Sequence, residues 1–499
     1  MNRHPPKKTV NKNLKEHLAQ LKQVLVNVSG NVDFIPSSLS ASSARVSAGS
    51  VFVAVKGQKN DGHNFIKNAI GSGASAIVFQ DGENLDLPNS PIPAMIKVSD
   101  SRLAYSILLE SFNDFPSSKL KLVGITGTNG KTTCAYLIRK FLSSGNGRCG
   151  LISTVEYSTP SWSMDASRTT PDPEFMQYLF SKMIDERCQH AVMEVSSHGL
   201  DQNRTGNAKF AGAIFTNLSG DHLDYHKNME NYFQAKKRLF SDHLAEDAFA
   251  VINVDDIYGK RLFSEIKDKQ TISCGFGEAS DACIRNFSGR PNGLEFDLVF
   301  KGESRRISSN LCGRYNAMNI AESFILAMHL GAKPEEMFKI LQDVHVPGRL
   351  EKILLKNGAV AFVDYAHTDD ALEKVLSTLN EIKEGRIICV FGCGGDRDKS
   401  KRPRMGAVSA KFADISIITS DNPRSENPLK IIEEIIDGVK DRRACFNIPD
   451  RAEAIRTAVE ISKANDIIIV AGKGHEKGQQ FINETLHFDD REELAKYAK

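Results

Sequence analysis

Gly124-Ile125-Thr126-Gly127-Thr128-Asn129-Gly130-Lys131-Thr132-Thr133 stands between an apolar run, Leu120 to Ile125, and a segment that puts Cys134, Leu137, Ile138, Phe141 and Leu142 on one helical face. Strand, glycine-rich turn and helix in that order make a phosphate cradle. Glycines let backbone N–H groups approach phosphate oxygens, and the helix N-terminus adds a positive end. Lys131 would reach the β- and γ-phosphates, and the Thr132 hydroxyl would bind Mg²⁺. The strict phosphate-loop pattern has glycine where Ile125 stands, whereas Gly124 comes one residue early. A glycine-rich turn without a ligand is the alternative.

Beyond this segment, Ala191 to Val195, Ala213 to Phe215 and Phe249 to Ile252 are short apolar strands ending in polar residues, with helical stretches between them. Such alternation predicts a parallel sheet covered on both faces. Val346-Pro347-Gly348-Arg349 interrupts it, and it then resumes with strands at Val360 to Val363, Ile387 to Phe391, Ile415 to Ile418 and Ile467 to Val470. A helix with Leu372, Val375, Leu376 and Leu379 on one face follows the first of these. Each strand runs into a polar or glycine-rich loop: Asp364-Tyr365-Ala366-His367, Gly392 to Lys399, Ser420 to Glu426 and Gly472 to Gly478. Ligands of open α/β sheets bind beyond the carboxyl ends of the strands.

Before the phosphate loop the pattern is mixed. Val51 to Val55 and Ala76 to Phe79 read as strands, Asn64 to Ile70 as a helix and Asp86 to Pro93 as a loop. Residues 1–22 read as a basic leader, a solvated tail running into a short helix. Phe115-Pro116-Ser117-Ser118 is a boundary. The expected architecture is α/β in three domains: a small mixed α/β N-terminal domain (23–117), a central parallel-sheet phosphate-loop ATPase domain (118–345) and a C-terminal Rossmann-like α/β domain (346–499).

Composition agrees with this. At about 150 residues per domain, 499 residues make roughly three domains. Lys plus Arg number 64 against 62 Asp plus Glu, and a net charge of +2 disfavours a nucleic-acid binder driven by a positive field. No apolar run reaches the roughly 18 residues of a membrane span, and the basic N-terminus carries no secretory signal. Nine scattered cysteines suit a reduced, cytoplasmic chain. Cys389 and Cys393, three residues apart in a strand and its turn, are read as packing residues.

Glu194-Val195-Ser196-Ser197-His198-Gly199 ends a strand, and a carboxylate there suits a metal ligand beside phosphates. Asp221-His222-Leu223-Asp224-Tyr225-His226 ends another. His222 and His226 have a spacing zinc also accepts, but no HExxH pattern or cysteine accompanies them, so Mg²⁺ near nucleotide phosphates is favoured.

Taken in order, Gly127 to Thr132, Glu194 to His198, Thr216-Asn217, Asp221 to His226, Arg314-Tyr315-Asn316 to Asn319, Pro347-Gly348-Arg349-Leu350-Glu351 and Asp364 to His367 resemble the Mur ligases. These are bacterial ATP-dependent amide-bond-forming enzymes of peptidoglycan assembly. Asp421-Asn422-Pro423-Arg424 is similar to the member that adds meso-2,6-diaminopimelate to UDP-N-acetylmuramoyl-L-alanyl-D-glutamate. The resemblance implies ATP, two Mg²⁺ sites and a lysine carbamylated by CO₂, which Tyr232 and Ala235 of a Tyr-x-x-Ala-Lys stretch place at Lys236. From the residues alone, Lys236 beside Lys237 and Arg238 is a solvated basic face.

The same resemblance implies ATP contacts at Gly127, Thr128, Asn129, Gly130, Lys131, Thr132, Thr133, Asn316, Arg349 and Asp364, the last beside the ribose. It implies catalytic or metal roles for Lys131, Thr132, Glu194, His222 and Lys236. The nucleotide-sugar acceptor falls to Ser43, Thr169, Thr170, Ser196, Gln202 and Arg204, and diaminopimelate to Arg397, Asp421, Asn422, Pro423, Arg424, Gly472 and Glu476. The expected chain is a monomer without nucleic-acid or membrane partners.

Arg424 offers a planar fork for the distal carboxylate that lysine lacks. Such a site rejects the analogue strongly, because a desolvated guanidinium would lose its partner. Glu476 suits the distal amino group. The plain reading of Asn422-Pro423 is a turn, which is compatible with the site. Three positions depart from the family pattern. Ser42-Ser43-Ala44 replaces Asp-Ser-Arg, Asp369 replaces a proline, and Gly220 replaces an arginine. Two other readings remain: a related ligase for L-lysine or another substrate, and an ATP-binding scaffold that forms no bond.

Overall fold

Apolar runs that are buried on both faces become the strands of this chain. The computed structural model describes residues 11–57, 60–83, 85, 87, 92–266 and 269–499. They form two compact units, one reaching to Ser273 and including Glu322–Ala332, the other made of Cys274–Ala321 and Lys333–Lys499.

The first unit carries two sheets. The N-terminal sheet orders Leu25–Ser29, Ala94–Val98, Ala76–Gln80, Ser50–Val53 and Ser38–Ser40, all parallel except the first. Helix Ser101–Phe112 packs on it and is capped by the Asp100 side chain, which accepts from the Leu103 N–H. The helix expected at Asn64 to Ile70 is a 3₁₀ turn, Gly62–Phe65, followed by helix Ile66–Gly71. Most of the loop expected at Asp86 to Pro93 lies outside the described residues, as do residues 1–10. The leader is not solvated as far as residue 22. Helix Leu14–Leu18, closed by an Asn13 capping box, buries Leu14 and Leu18, and Leu21 follows them into the core.

The central sheet orders Leu244–Asn253, Phe210–Phe215, Lys121–Thr126, His190–Glu194 and Cys149–Ile152, all parallel. Two strands, Glu156–Thr159 and Trp162–Asp165, extend its edge in antiparallel fashion, which alternation of strand and helix did not predict. Helix Lys131–Leu142 follows the phosphate loop, and Cys134, Leu137, Ile138, Phe141 and Leu142 are all buried as its periodicity requires. Register sets Glu194 beside Ile125 and Phe215 beside Thr126. The residues that follow those two strands therefore flank the phosphate loop.

The second unit holds an antiparallel meander, Ala282–Arg290, Gly293–Phe300 and Glu303–Ser309, also absent from the sequence reading. Its six-stranded sheet orders Glu351–Leu354, Val360–Asp364, Ile467–Ala471, Ile387–Phe391, Ile415–Ile418 and Cys445–Asn447. All are parallel but the first. Leu372, Val375, Leu376 and Leu379 cover one face, and Ala454, Ile455 and Ala458 the other. Cys389 and Cys393 are packing residues of this core. The four loops singled out in the sequence leave the carboxyl ends of four neighbouring strands, with a hairpin, Gly478–Gln480 and Thr485–His487, beyond the last. Among the described residues no helix is long and apolar enough to cross a membrane.

Candidate active site

Gly127 adopts φ 148°, and a Cβ there would lie 2.0 Å from Thr216 Oγ1, so only glycine fits. Thr216 Oγ1 and Asn217 Nδ2 donate to Asn129 O (2.6 and 3.2 Å), and Asn129 N donates to Asn217 Oδ1 (3.0 Å). The loop is thus fastened to the end of the adjacent strand. Lys131 Nζ donates to Gly127 O (2.9 Å) and Thr128 O (2.8 Å). Thr132 and Thr133 are buried in the first helical turn. Thr126 Oγ1 and Asn129 Nδ2 are buried without a hydrogen-bond partner. An unsatisfied donor in a cradle of backbone N–H groups fits an anion.

Lys236, on helix Met229–Ser241, is 1% exposed rather than solvated. It shares the inward face with Tyr232, Phe233, Leu239 and Phe240, which helical periodicity places together. Its Nζ donates to Gly127 O (2.7 Å) and lies 4.6 Å from the Tyr232 ring centroid. Burial, and then the nearby Lys131 charge, push the pKa of Lys236 well below the ordinary lysine value. Glu194 is fully buried, and Thr154 donates to it twice, N–H to Oε1 (2.8 Å) and hydroxyl to Oε2 (3.0 Å).

His222 has a left-handed backbone, φ 55°, and its N–H donates to Asp221 Oδ1 (2.8 Å). Burial lowers its imidazole pKa to about 4, leaving a neutral ring at neutral pH. His198, which the sequence reading left without a role, packs its ring 4.8 Å from His222 and 5.5 Å from His226. His222 and His226 do not gather a third ligand. Among the described residues the one such cluster is Asp61, His63 and Glu83, where His63 Nδ1 contacts Asp61 and Nε2 accepts from the Gln80 N–H.

Five of the six expected acceptor residues, all but Ser43, are joined by contacts that run through Thr154 and Glu194. Thr154 Oγ1 meets Thr169 Oγ1 (3.0 Å), and Thr170 Oγ1 donates to Glu194 O and shares a hydrogen bond with Ser196 Oγ (both 3.0 Å). Arg204 Nη1 donates to Thr170 O (2.6 Å) and Nη2 to Gln202 Oε1 (2.8 Å). Ser43 sits on the 3₁₀ turn Ser43–Arg45, two residues before Arg45. Arg45 makes a bidentate pair with Glu174 (2.7 Å to each oxygen), just beyond Thr169-Thr170-Pro171. That pair ties the N-terminal domain to the acceptor segment and was not foreseen.

In the second unit, Arg349 lies 4.9 Å from the Tyr365 ring centroid. Asp364 is buried, and its oxygens accept from the Leu350 and Ala366 N–H groups (2.7 and 2.8 Å). Burial raises its pKa against the opposing pull of Arg349. Asp364 therefore braces the two loops that carry Arg349 and His367. The Asn316 amide is buried, donating to Cys312 O (2.8 Å) and accepting from Asn319 (3.0 Å).

Asp421, Asn422 and Pro423 are buried, and Arg424 follows at φ 52°, a strained value for a long side chain. Its N–H donates to Gln480 O (3.0 Å), Nε to Gln480 Oε1 (3.1 Å) and Nη1 to Gly395 O (2.7 Å). A Cβ on Gly395 would come within 2.0 Å of Pro423 O, so glycine is required for this approach. Ser425 binds Asp396, next to the exposed Arg397, and Glu426 accepts from the Asp396 N–H (2.6 Å). The fully buried Arg402 clamps Glu426 at 3.0 Å, holding its carboxyl pKa down at about 2. Gly472 closes on the Asp421 carboxylate, and Glu476 Oε2 accepts from Asn422 Nδ2 (2.9 Å).

Sequence reasoning missed Lys473, Gln480, Arg402 and the buried pair Arg451–Asp490, which fastens Ala471 O (3.0 Å) just before Gly472. The available signal was Lys473 between two glycines at a strand end.

Comparison with known proteins identifies the family. Residues 37–112 match the Mur ligase family catalytic domain, 125–327 the Mur ligase middle domain and 348–474 the Mur ligase glutamate ligase domain. A UDP-N-acetylmuramoyl-L-alanyl-D-glutamate--2,6-diaminopimelate ligase of Clostridium acetobutylicum is 40% identical over 490 residues, covering 97% of this chain and 99% of its own. One from Aquifex aeolicus is 39% identical, covering 91% of each. A solved structure of a ligase of the same name superimposes with TM-score 0.72 at 29% identity, covering 98% of this chain and 99% of that one. The MurF ligase of Thermotoga maritima in complex with ADP shares the fold at 19% identity, covering 88% of this chain and 94% of its own, with TM-score 0.57. With a glycine-rich loop between strand and helix, ordered strand-end loops, and the three matched domains following one another along nearly its whole length, the chain belongs to the Mur ligase family.

Proposed function

We propose that the protein joins meso-2,6-diaminopimelate to the D-glutamate of UDP-N-acetylmuramoyl-L-alanyl-D-glutamate at the expense of ATP. The observation that carries this reading is Arg424, held by Gln480 and Gly395 in a strained backbone at the mouth of the strand-end loops. Relatives bearing the diaminopimelate ligase name support it at about 40% identity.

A carboxylate is a poor electrophile toward an amine. Transfer of the γ-phosphoryl group to the D-glutamate carboxylate releases ADP and leaves an acyl phosphate. The diaminopimelate amine then attacks its carbon, loses a proton and expels phosphate, forming the amide. Positioning and charge neutralisation supply most of the catalysis. Gly127 to Thr133 cradle the phosphates, and Lys131 exchanges its two carbonyl acceptors for phosphate oxygens. Thr170, Ser196 and Arg204 hold the acceptor peptide near Glu194.

The hard-oxygen donors Thr132 and Glu194, with the neutral His222, fit Mg²⁺. When bound, Mg²⁺ offsets the charge of the phosphates and the acceptor carboxylate. Burial lowers the pKa of Lys236, which suits attack on CO₂: the lone pair of its neutral amine bonds the carbon, a proton leaves, and the amine becomes a carboxylate-like ligand. A reducing, cytoplasmic setting suits nine cysteines held as thiols.

The reading is tested by phosphate release from ATP with the UDP-linked dipeptide plus meso-diaminopimelate, L-lysine or neither. Release with diaminopimelate alone is expected; release with lysine alone, or with no amino acid at all, overturns it. Arg424→Ala should raise KM for diaminopimelate by roughly 10- to 100-fold and narrow discrimination against lysine. Unchanged diaminopimelate kinetics in that variant would remove Arg424 from recognition.

A further inference from the structure

Lys473 is fully buried, yet neither the reaction nor the family motifs assign it a task. A buried ammonium needs a partner for each of its three N–H groups. Lys473 has three acceptors, each from a different segment of the strand-end region. They are Asn422 Oδ1 at 3.3 Å, Glu476 Oε2 at 3.4 Å and Gly478 O at 2.6 Å. The first belongs to the Asp421–Arg424 segment, the second to the loop after Ile467–Ala471, and the third opens the hairpin that carries Gln480. Asn422 closes the set, since its Nδ2 donates to the same Glu476 oxygen at 2.9 Å and its Oδ1 also accepts from the Gln480 N–H at 2.9 Å.

From this arrangement we infer that Lys473 is the positioning residue for the distal ammonium of the incoming amino acid. Together with Asn422 it anchors Oε2 of Glu476 and leaves Oε1 for the substrate. A carboxylate held this way loses little rotamer freedom on binding, which is where preorganised sites gain affinity. Lys473 does not touch substrate; it acts through Glu476. This inference rests on the diaminopimelate reading above and names the group that makes its pocket rigid.

The test compares two substrates on the full-length protein: meso-diaminopimelate, and 2-aminopimelate, which keeps the distal carboxylate but lacks the distal amino group. Wild-type turnover of diaminopimelate is established first. If it is absent, the functional reading fails, and this inference with it. Given wild-type turnover, Lys473→Met should raise KM for diaminopimelate about 10- to 100-fold, with KM for ATP and for 2-aminopimelate within about threefold of wild type. Lys473→Gln, which keeps two donors, should recover part of the loss. Equal losses on both amino acids, or no loss on diaminopimelate, overturns the positioning role while leaving the ligase reading intact. If Lys473→Met does not fold, Lys473→Gln is judged by the same contrast, and failure of both to fold assigns Lys473 to the scaffold and overturns the inference.

Discussion

Lys131→Ala should yield a folded protein whose phosphate release falls at least about 10³-fold with every substrate saturating. In the structure the Lys131 ammonium lies across the mouth of the loop on Gly127 O and Thr128 O. Those carbonyls are the acceptors a nucleotide's terminal phosphates would replace. Three anionic partners (ATP, the dipeptide carboxylate and the developing phosphoryl group) meet there, so a missing cation is felt most in the transition state. The loss should therefore appear in kcat more than in KM. Thermal unfolding should stay within about 3 °C of wild type, because the side chain is only half-buried and the loop retains its Thr216 and Asn217 bonds. Residual turnover above about a tenth of wild type would exclude Lys131 from phosphate chemistry.

Lys236→Ala should lose activity by about 10²-fold or more, and small carboxylates such as formate or acetate should restore part of it. Alanine vacates the space of three methylenes and the amine beside Gly127 O and the Tyr232 ring. A small carboxylate entering that space supplies the charge that a carbamate would carry. A purely structural lysine, needed only for its bond to Gly127 O, predicts inactivity without rescue. Activity equal to wild type refutes any role. Rescue that scales with the carboxylate and fails with the matching primary alcohol is the outcome that distinguishes a ligand role from simple space filling.

Much of the fold was legible wherever the determinant is local. Ile387–Phe391 and Ile415–Ile418 are strands to the residue, because central parallel strands buried on both faces read as unbroken apolar runs. The phosphate loop was legible because strand, turn and helix are contiguous. The meander Ala282–Ser309 was not. Gly293–Phe300 carries the alternating period of a half-buried strand, whereas the sequence reading rested on the unbroken apolar runs of parallel strands. The hairpin Glu156–Asp165 was missed because its two strands are four residues each and rich in polar side chains. The basic face expected around Lys236 was misread because Lys237 and Arg238 hid the helical period that turns Lys236 inward.

The candidate site divides in the same way. The residues to which chemistry is assigned stand in short ordered motifs, and the sequence by itself determined which loops hold them and which family they resemble. Tertiary structure decided their partners. Thr154 reaches Glu194 across 40 residues, Gln480 reaches Arg424 across 56, and Lys236 reaches Gly127 across 109. Only tertiary structure showed that Lys473 is enclosed by three acceptors rather than solvated. The physical reason is range. Backbone dihedrals and apolar periodicity act over a few residues and are written in consecutive letters. The burial of a charge and the geometry of its hydrogen bonds depend on which distant segments the completed sheets bring together.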